Sequence, residues 1–282
     1  MPGLRRAGVV AWVAVPVLLA ACVQGGAERR VGPEEHALAA QGAYYVTTQG
    51  RPDALQPFLL LVPSQPKAVA VLFAGGQGQI GLLPDGHIRN GDNFLVRSRE
   101  RFLAQGLAVA VIAPPTDHPS LDRFRSTEAH TADIAGVIAY LRGRLHVPVW
   151  LVGTSRGTIS VAYAASRLAP PAGPDGIVLS STVTVLSRGA SADGADLAAI
   201  RVPTLLVQHR LDACRVTPFG GAEALLKRLV NAPAHELIAI EGGGPPRGPA
   251  CQAFNYHGFI GREAATVRVM TDWIKVHPPV RS

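Results

Sequence analysis

Short apolar runs alternate with longer amphipathic stretches along most of the chain, and this alternation is the main signal of its fold. Apolar runs of strand length lie at 44–48, 58–62, 68–73, 107–113, 147–152, 177–181, 204–209 and 235–240. Stretches with apolar residues at helical spacing lie at 93–105, 127–145, 158–165, 221–230 and 262–276. Because strands that alternate with helices usually pair in parallel, the pattern predicts an α/β protein with a mostly parallel central sheet flanked by helices. The first two strands are predicted to be antiparallel, since no helix separates them.

The amino terminus carries the pattern of an export signal. Two arginines precede the apolar stretch 7–19, which is too short to span a bilayer and has the length of a signal-peptide core. The stretch ends in the sequence LAAC at 19–22, which resembles the bacterial lipobox. That resemblance implies that the signal peptide, residues 1–21, is removed and that Cys22 receives a lipid anchor to the membrane. A simple secretory signal followed by a coincidental cysteine is the alternative.

The residues after Cys22 indicate where the protein would be held. By the same resemblance, an aspartate directly after the lipidated cysteine implies retention at the inner membrane. This chain has Val23 there, so the protein is expected on the periplasmic side of the outer membrane of a bacterial envelope. Residues 23–42 are polar and rich in glycine and alanine, which predicts a tether rather than core. The predicted organisation is therefore a signal peptide (1–21), a lipidated tether (22–42) and one domain (43–282).

Length, charge and cysteine content fit one exported domain. A chain of 282 residues, less its signal, suits a single α/β domain. The formal net charge is +7, but no run of Lys or Arg exceeds two residues, so no nucleic-acid partner is predicted. With Cys22 lipidated, Cys214 and Cys251 remain as a pair in an oxidising compartment, which predicts a disulfide between them. Two buried thiols are the alternative.

The most informative local motif is the pentapeptide GTSRG at 153–157. It follows the apolar run 147–152 and precedes the helical stretch 158–165. A G-x-S-x-G sequence between a strand and a helix is typical of a nucleophile elbow, in which glycines let the strand and the helix approach closely around a strained serine. Ser155 is therefore the predicted nucleophile. A glycine-rich turn with an incidental serine is the alternative.

A nucleophilic serine needs a base and an acid that orients the base. Asp212 follows the strand 204–209, and the carboxyl end of a strand is where α/β sheets place their functional residues. Asp175, Asp193 and Asp196 compete for the role, but they lie in connections rich in glycine, alanine and proline. Asp212 is the predicted acid, with a turn-stabilising surface aspartate as the alternative.

His257 is the predicted base. It follows the strand 235–240 and lies shortly before the last helix, which gives the chain order Ser, Asp, His. The other candidates fit less well. His209 precedes the predicted acid and breaks the order Ser, Asp, His, whereas His235 opens a strand and His277 lies in the carboxyl-terminal tail. A histidine packed in a loop without a catalytic role is the alternative.

A glycine-rich loop follows the strand 68–73 and supplies the remaining element of such a site. Its sequence AGGQG at 74–78 allows backbone N–H groups to point at a developing oxyanion. A phosphate-binding loop is disfavoured, because neither the Lys-Ser/Thr ending of a P-loop nor a G-x-G-x-x-G motif is present.

Taken together in this order, these residues resemble those of the α/β-hydrolase superfamily over residues 43–277. The resemblance implies a Ser155–His257–Asp212 triad, and oxyanion donors from the backbone of Arg156 and of Gly76, with Gln77 as the next candidate. It implies a serine hydrolase of the carboxylesterase type that acts on a small ester or acyl substrate and needs no cofactor or metal. Many members carry a histidine where this chain has Ala74, which leaves the subfamily open.

The resemblance leaves other functions open. A peptidase, a thioesterase or a lactone hydrolase would use the same triad, and a non-catalytic envelope lipoprotein could use the same fold. The stretch 182–201 is where many hydrolases insert a lid; here it is short and rich in small residues, so an open or lightly covered site is predicted. The Asp117-His118 pair and the His130/Asp133 pair are too isolated to predict a metal site.

Overall fold

The computed structural model describes Met1, Gly3 and residues 32–277. Its strands are β1 (Glu34–Ala37), β2 (Ala43–Arg51), β3 (Ala54–Leu61), β4 (Val69–Phe73), β5 (Ala108–Ile112), β6 (Val149–Thr154), β7 (Gly176–Ser180), β8 (Thr204–His209) and β9 (His235–Ile240). Its α-helices are α1 (Phe94–Arg97), α2 (Arg99–Ala104), α3 (Glu128–Leu145), α4 (Gly157–Arg167), α5 (Phe219–Leu226) and α6 (Glu263–Val276).

Within the described residues, the strands form one nine-stranded sheet in the order β1-β2-β3-β5-β4-β6-β7-β8-β9. The pairs β1–β2, β2–β3 and β3–β5 are antiparallel. Every pair from β5 to the β9 edge is parallel. The mostly parallel sheet and the antiparallel opening strands predicted from the hydrophobic pattern are therefore confirmed.

The core consists of two apolar layers, one on each face of the sheet. Successive side chains of a strand point to opposite faces, so Val69 and Val71 of β4 enter one layer and Ala70 and Leu72 enter the other. Helices α3, α4 and α5 cover the first face, and α1, α2 and α6 cover the second. The buried strands read as continuous apolar runs because both faces of the sheet are covered.

Two boundaries differ from those predicted. The helix expected over 93–105 is divided at Ser98, which has φ −97° and ψ 2° and ends α1 before α2 begins. The sheet begins with β1, inside the segment 22–42 that the sequence assigns to a tether, so the folded part starts before residue 43. All four residues of β1 are exposed, which explains why no apolar pattern marks this edge strand.

The segment 182–201 contains two short 3₁₀ turns, Ala192–Gly194 and Leu197–Ala199, and no longer element. It therefore forms no cap domain over the carboxyl end of the sheet.

The predicted signal peptide, apart from Met1 and Gly3, and the predicted lipidation site Cys22 lie outside the described residues. Among the residues that are described, none of the helices has both the length and the apolar character needed to cross a membrane.

Candidate active site

Ser155 occupies a sharp turn between β6 and α4, and close packing requires the glycines on either side of it. Its φ is +52°, a left-handed conformation that few non-glycine residues adopt. A Cβ on Gly153 would lie 2.7 Å from the carbonyl carbon of Gly157, and a Cβ on Gly157 would lie 2.0 Å from the carbonyl oxygen of Phe73. The motif therefore forms the strained, tightly packed turn that its sequence predicted, with Ser155 facing a cavity.

Asp212 lies in the loop after β8, and its buried carboxylate is held by four donors. Its Oδ2 accepts hydrogen bonds from His257 Nδ1 at 3.0 Å, Thr217 Oγ1 at 2.9 Å and Gln208 Nε2 at 3.2 Å. Its Oδ1 accepts a hydrogen bond from the backbone N–H of Cys214 at 3.0 Å. With both oxygens engaged, the carboxylate has one fixed orientation toward the imidazole ring.

The acids that competed with Asp212 in the sequence are engaged elsewhere. Asp175 accepts hydrogen bonds from Arg142 and from the backbone N–H of Val149, at the end of the sheet opposite Ser155. Asp193 binds Arg228. The Asp196 side chain accepts a hydrogen bond from the backbone N–H of Ala199 and stabilises a surface turn.

His257 is buried in a 3₁₀ turn, Tyr256–Gly258, and presents its ring edge to the cavity that Ser155 lines. Its Nδ1 donates to Asp212, while its Nε2 has no hydrogen-bond partner among the described residues. The Nε2 atom is thus buried without a hydrogen-bond partner, beside the wall of the cavity that His257 and Ser155 both line. The structure thus places Asp212 in hydrogen-bond contact with His257, and His257 lines the same cavity as Ser155 at the carboxyl end of the sheet.

The backbone around His257 is held by side chains that no sequence pattern predicted. Ser181 Oγ donates to the His257 carbonyl at 2.7 Å. Arg97 Nη2 donates to the carbonyls of Gly258 at 2.7 Å and Ala253 at 3.1 Å. A Cβ on Gly258 would lie 1.8 Å from the Ala253 carbonyl oxygen, so only glycine fits there. These contacts hold the imidazole in place from the backbone side.

The loop at 74–78 follows β4 and lies directly beside the nucleophile. A Cβ on Gly75 would lie 2.9 Å from the Cβ of Ser155, and Gly76 has φ +58°. Gly76 and Arg156 line the same cavity as Ser155, whereas Gln77 does not. Within the described residues, the N–H groups of Gly76 and Arg156 have no intramolecular acceptor. Both groups are therefore available to a ligand atom in the cavity.

The Arg156 side chain has a partner of its own. Its Nη1 donates to the carboxylate of Asp122, and both side chains are largely buried. This ion pair compensates the charge of the Arg156 side chain beside the cavity.

The site opens into a cavity of about 570 Å³ whose wall is polar and apolar in nearly equal parts. Around Ser155 and His257 its polar lining side chains are Arg89, Asn90, Asp92, Asn93, Arg156, Ser187 and Gln252. Phe94, Val216 and Ala253 are among its few apolar ones. The cavity offers little apolar surface for a long acyl chain.

A disulfide joins Cys214 and Cys251, as predicted from the cysteine pattern. It links the loop that carries Asp212 to the segment that leads to His257, and both cysteines line the cavity. Closing a loop between residues 37 apart stabilises the fold by roughly 4 kcal/mol in the chain-entropy model.

The two His/Asp pairs considered as metal ligands are engaged by protein groups instead. Arg51 donates two hydrogen bonds to Asp117 and two to Asp133, each between 2.8 and 2.9 Å long. Burial lowers the pKa of His130 to about 3, which leaves its ring neutral. In the part of the chain that the structure describes, no group of three or more His, Cys, Asp or Glu side chains is placed to hold a metal ion.

Four residues that contact the predicted acid or the backbone around the predicted base had no signal in the sequence: Thr217, Gln208, Arg97 and Ser181. Thr217 and Gln208 are an ordinary threonine and glutamine that reach Asp212 only because the loop after β8 folds back. Arg97 lies more than 150 positions before the segment it anchors. These side chains reach the site only through the tertiary fold, so no local sequence pattern predicts their contacts.

Comparison with solved structures places this architecture in a known fold. A cold-adapted esterase from an Arctic intertidal metagenomic library is 15% identical, with a TM-score of 0.56 over 86% of this chain and 100% of that chain. Dienelactone hydrolase from Anabaena variabilis is 18% identical, with a TM-score of 0.58 over 88% and 100%. An α/β serine hydrolase without a lid from Xanthomonas campestris is 15% identical, with a TM-score of 0.54 over 88% and 100%.

These identities are low, so the likeness establishes the fold alone. No family model and no curated protein sequence matches the chain. The chain has the α/β-hydrolase fold without a lid, as predicted.

Proposed function

We propose that this chain, which has the α/β-hydrolase fold, is a serine hydrolase that cleaves carboxylic esters. The observation that carries the proposal is the hydrogen bond of 3.0 Å between His257 Nδ1 and Asp212 Oδ2, with Nε2 unpartnered among the described residues and with His257 and Ser155 lining one cavity. An acid, an oriented base and a strained serine in one cavity are the groups that acyl transfer requires. The similar folds named as esterases and serine hydrolases support the same chemistry.

The geometry supports a two-step reaction through an acyl-enzyme. Ser155 Oγ attacks the carbonyl carbon of the ester while its proton passes to His257 Nε2, and Asp212 stabilises the imidazolium that forms. The N–H groups of Gly76 and Arg156 bind the oxyanion, each contributing about 3 kcal/mol by analogy with measured oxyanion donors. The imidazolium then donates its proton to the departing alcohol. Water, deprotonated by His257, hydrolyses the acyl-enzyme and restores Ser155.

The cavity favours substrates with short acyl chains. Its volume is about 570 Å³, only about half of its wall is apolar, and no lid adds apolar surface above it. We expect kcat/KM to be highest for p-nitrophenyl acetate or butyrate and to fall steadily toward the octanoate and decanoate. Since each methylene contributes about 0.8 kcal/mol only when it is buried against apolar surface, a longer chain gains nothing here.

The chain-length series is measured on purified protein at substrate concentrations below micelle formation. A maximum at the octanoate or beyond would contradict the proposed short-chain preference, and turnover equal to the protein-free rate for every ester would contradict esterase activity itself.

Lactone hydrolysis is the second candidate, because one of the similar structures is named as a dienelactone hydrolase. A lactone is a cyclic ester, so the same attack by Ser155 opens the ring and leaves the alcohol attached to the acyl group. Thioesters and peptides would use the same triad, but no feature of the cavity wall favours them. Hydrolysis of a small lactone and of p-nitrophenyl acetate by the same preparation compares the two candidates directly.

A second part of the proposal concerns location: the protein is exported and anchored in the bacterial cell envelope through a lipid on Cys22. The signal-like residues 1–21 support this, and so does the disulfide between Cys214 and Cys251, because disulfides persist in oxidising compartments.

Metabolic labelling with an alkyne-bearing palmitate tests the anchor. We expect the full-length protein expressed in a Gram-negative host to incorporate the label and to partition with membranes, and a Cys22→Ala variant to lose the label. Cys251→Ser, which removes a cysteine far from the signal, should keep it. Label retained by Cys22→Ala would contradict lipidation at this residue.

A further inference from the structure

Arg125 lies beneath the loop at 74–78 and has an unusual set of hydrogen-bond partners. The residue is only 3% exposed. Its Nη2 donates to the carbonyl oxygens of Ala74 at 2.9 Å and Gly76 at 3.2 Å, and its Nη1 donates to Ser160 Oγ at 2.9 Å. Among the described residues, no carboxylate forms a hydrogen bond with this guanidinium.

A buried arginine without a carboxylate partner is costly to maintain. Transfer of a cation from water into a protein interior costs several kcal/mol unless an opposite charge or strong hydrogen bonds compensate it. Burial, with a smaller repulsion from Arg156, lowers the pKa of Arg125 to about 9, and Asp122 only partly opposes this shift. Its hydrogen-bond partners are two backbone carbonyls, both in the loop that lies beside the nucleophile, and one hydroxyl.

These two carbonyls flank the peptide group that carries the Gly76 N–H. In a trans peptide the C=O and the following N–H point in opposite directions, so anchoring carbonyls fixes the directions of N–H groups. Arg125 anchors the carbonyls of Ala74 and Gly76, and the Gly78 N–H holds the Gly75 carbonyl between them at 3.1 Å. All three consecutive peptide planes therefore have a fixed orientation around Gly76.

The third partner links this loop to the nucleophile's own helix. Ser160 belongs to α4, which begins two residues after Ser155, and its hydroxyl also contacts His130 Nε2 at 2.9 Å. Arg125 thus connects the loop that supplies one oxyanion donor to the helix whose start supplies the other.

We propose that Arg125 is a positioning residue that sets the oxyanion-binding geometry of this site from behind the loop. This inference rests on the proposed serine-hydrolase function. Arg125 reaches no substrate, because the cavity that Ser155 lines does not include it. It orients the Gly76 N–H toward the cavity, and its buried positive charge also favours negative charge developing on the bound oxyanion.

The test compares Arg125→Met and Arg125→Lys with the unmodified protein. We expect kcat for p-nitrophenyl acetate to fall by about 100-fold in Arg125→Met, similar to the loss of one oxyanion donor, while KM stays near the unmodified value. Affinity for an alkylboronic acid, whose adduct on Ser155 carries tetrahedral oxygens, should fall with kcat. Arg125→Lys keeps the charge but cannot span all three acceptors, so it should recover only part of kcat.

Arg142→Met is the matched control. Arg142 also donates to backbone carbonyls, those of Pro171 and Gly173, but near the end of the sheet opposite Ser155. Its replacement should lower thermal stability and leave kcat and boronate affinity unchanged.

A merely structural role for Arg125 would predict reduced stability with unchanged kcat per folded molecule and unchanged boronate affinity, and that result would overturn the proposal. If Arg125→Met does not fold, the same criteria apply to Arg125→Lys. Absence of ester turnover and boronate binding in the unmodified protein would instead reject the serine-hydrolase function, which separates the two failures.

Discussion

Replacement of Ser155 by alanine is expected to lower kcat/KM for short-chain esters by on the order of 10⁶-fold, the loss measured when other serine hydrolases lose their nucleophile. The reason is direct: without Oγ no acyl-enzyme forms, and only binding and the oxyanion donors remain to assist attack by water. The fold should persist, because the hydroxyl of Ser155 contributes no hydrogen bond to the rest of the described structure. Initial rates with p-nitrophenyl acetate and a thermal unfolding curve measure both effects.

Ser166→Ala provides the matched control for this prediction. Ser166 lies in α4, the helix that follows the nucleophile. Its hydroxyl donates to the Tyr163 carbonyl, and Ser166 does not line the cavity. Turnover by Ser166→Ala should equal that of the unmodified protein. Substantial activity in Ser155→Ala would reject Ser155 as the nucleophile, and an equal loss in both variants would show a general effect on α4.

Replacement of Asp212 by asparagine is expected to have the second largest effect, a loss of about 10⁴-fold in kcat, as in the equivalent change in another serine hydrolase. The carboxylate accepts hydrogen bonds from Thr217 and from the backbone N–H of Cys214 as well as from His257 Nδ1. An amide can accept with only one of its two ends. If its NH₂ faces His257, the proton of the ring moves to Nε2, where it blocks acceptance of the Ser155 proton.

The opposite orientation of the amide is also unfavourable, because its NH₂ would then face the N–H of Cys214, a donor against a donor. Asp175→Asn is the control: this aspartate also accepts a backbone N–H, that of Val149, but near the end of the sheet opposite Ser155. It should retain full turnover. A loss of less than about tenfold in Asp212→Asn would contradict the role of Asp212 as the orienting acid.

The layered fold was predictable because the physics that determines it is local or periodic. Buried parallel strands must be apolar on both faces, so their runs stand out in the sequence, and the helices between them carry apolar residues at helical spacing. The turn at Ser155 is equally local. Its glycines are required by contacts with Phe73 and with each other, within and beside one strand–turn–helix unit.

The rest of the fold and site depends on contacts that local patterns do not encode. Strand β1 is fully exposed and has no apolar alternation to mark it. No proline or glycine marks the division of a helix at Ser98. Arg97 and Arg125 act on backbone carbonyls distant in sequence, and an arginine that binds carbonyls has no characteristic motif. A charged residue in a loop is normally read as a surface residue.

Gly76 is predicted from the sequence ahead of Gln77 as an oxyanion donor, and the structure places the two residues differently. Both residues belong to the same glycine-rich sequence, but only Gly76 lines the cavity that Ser155 faces, while the Gln77 carbonyl accepts a hydrogen bond from the N–H of Leu121. The role of Gly76 as an oxyanion donor stays a prediction, and the Arg125 variants test it through their affinity for a boronic acid.

The most direct test of the central claim is to identify the residue that a fluorophosphonate labels. The purified protein is treated with the probe, and its intact mass and the masses of its peptides are measured beside those of Ser155→Ala. The account predicts one phosphonyl group per chain, attached to Ser155, absent from the alanine variant, and formed at the rate at which ester turnover is lost. An adduct on another residue, or full loss of turnover without labelling of Ser155, would contradict it.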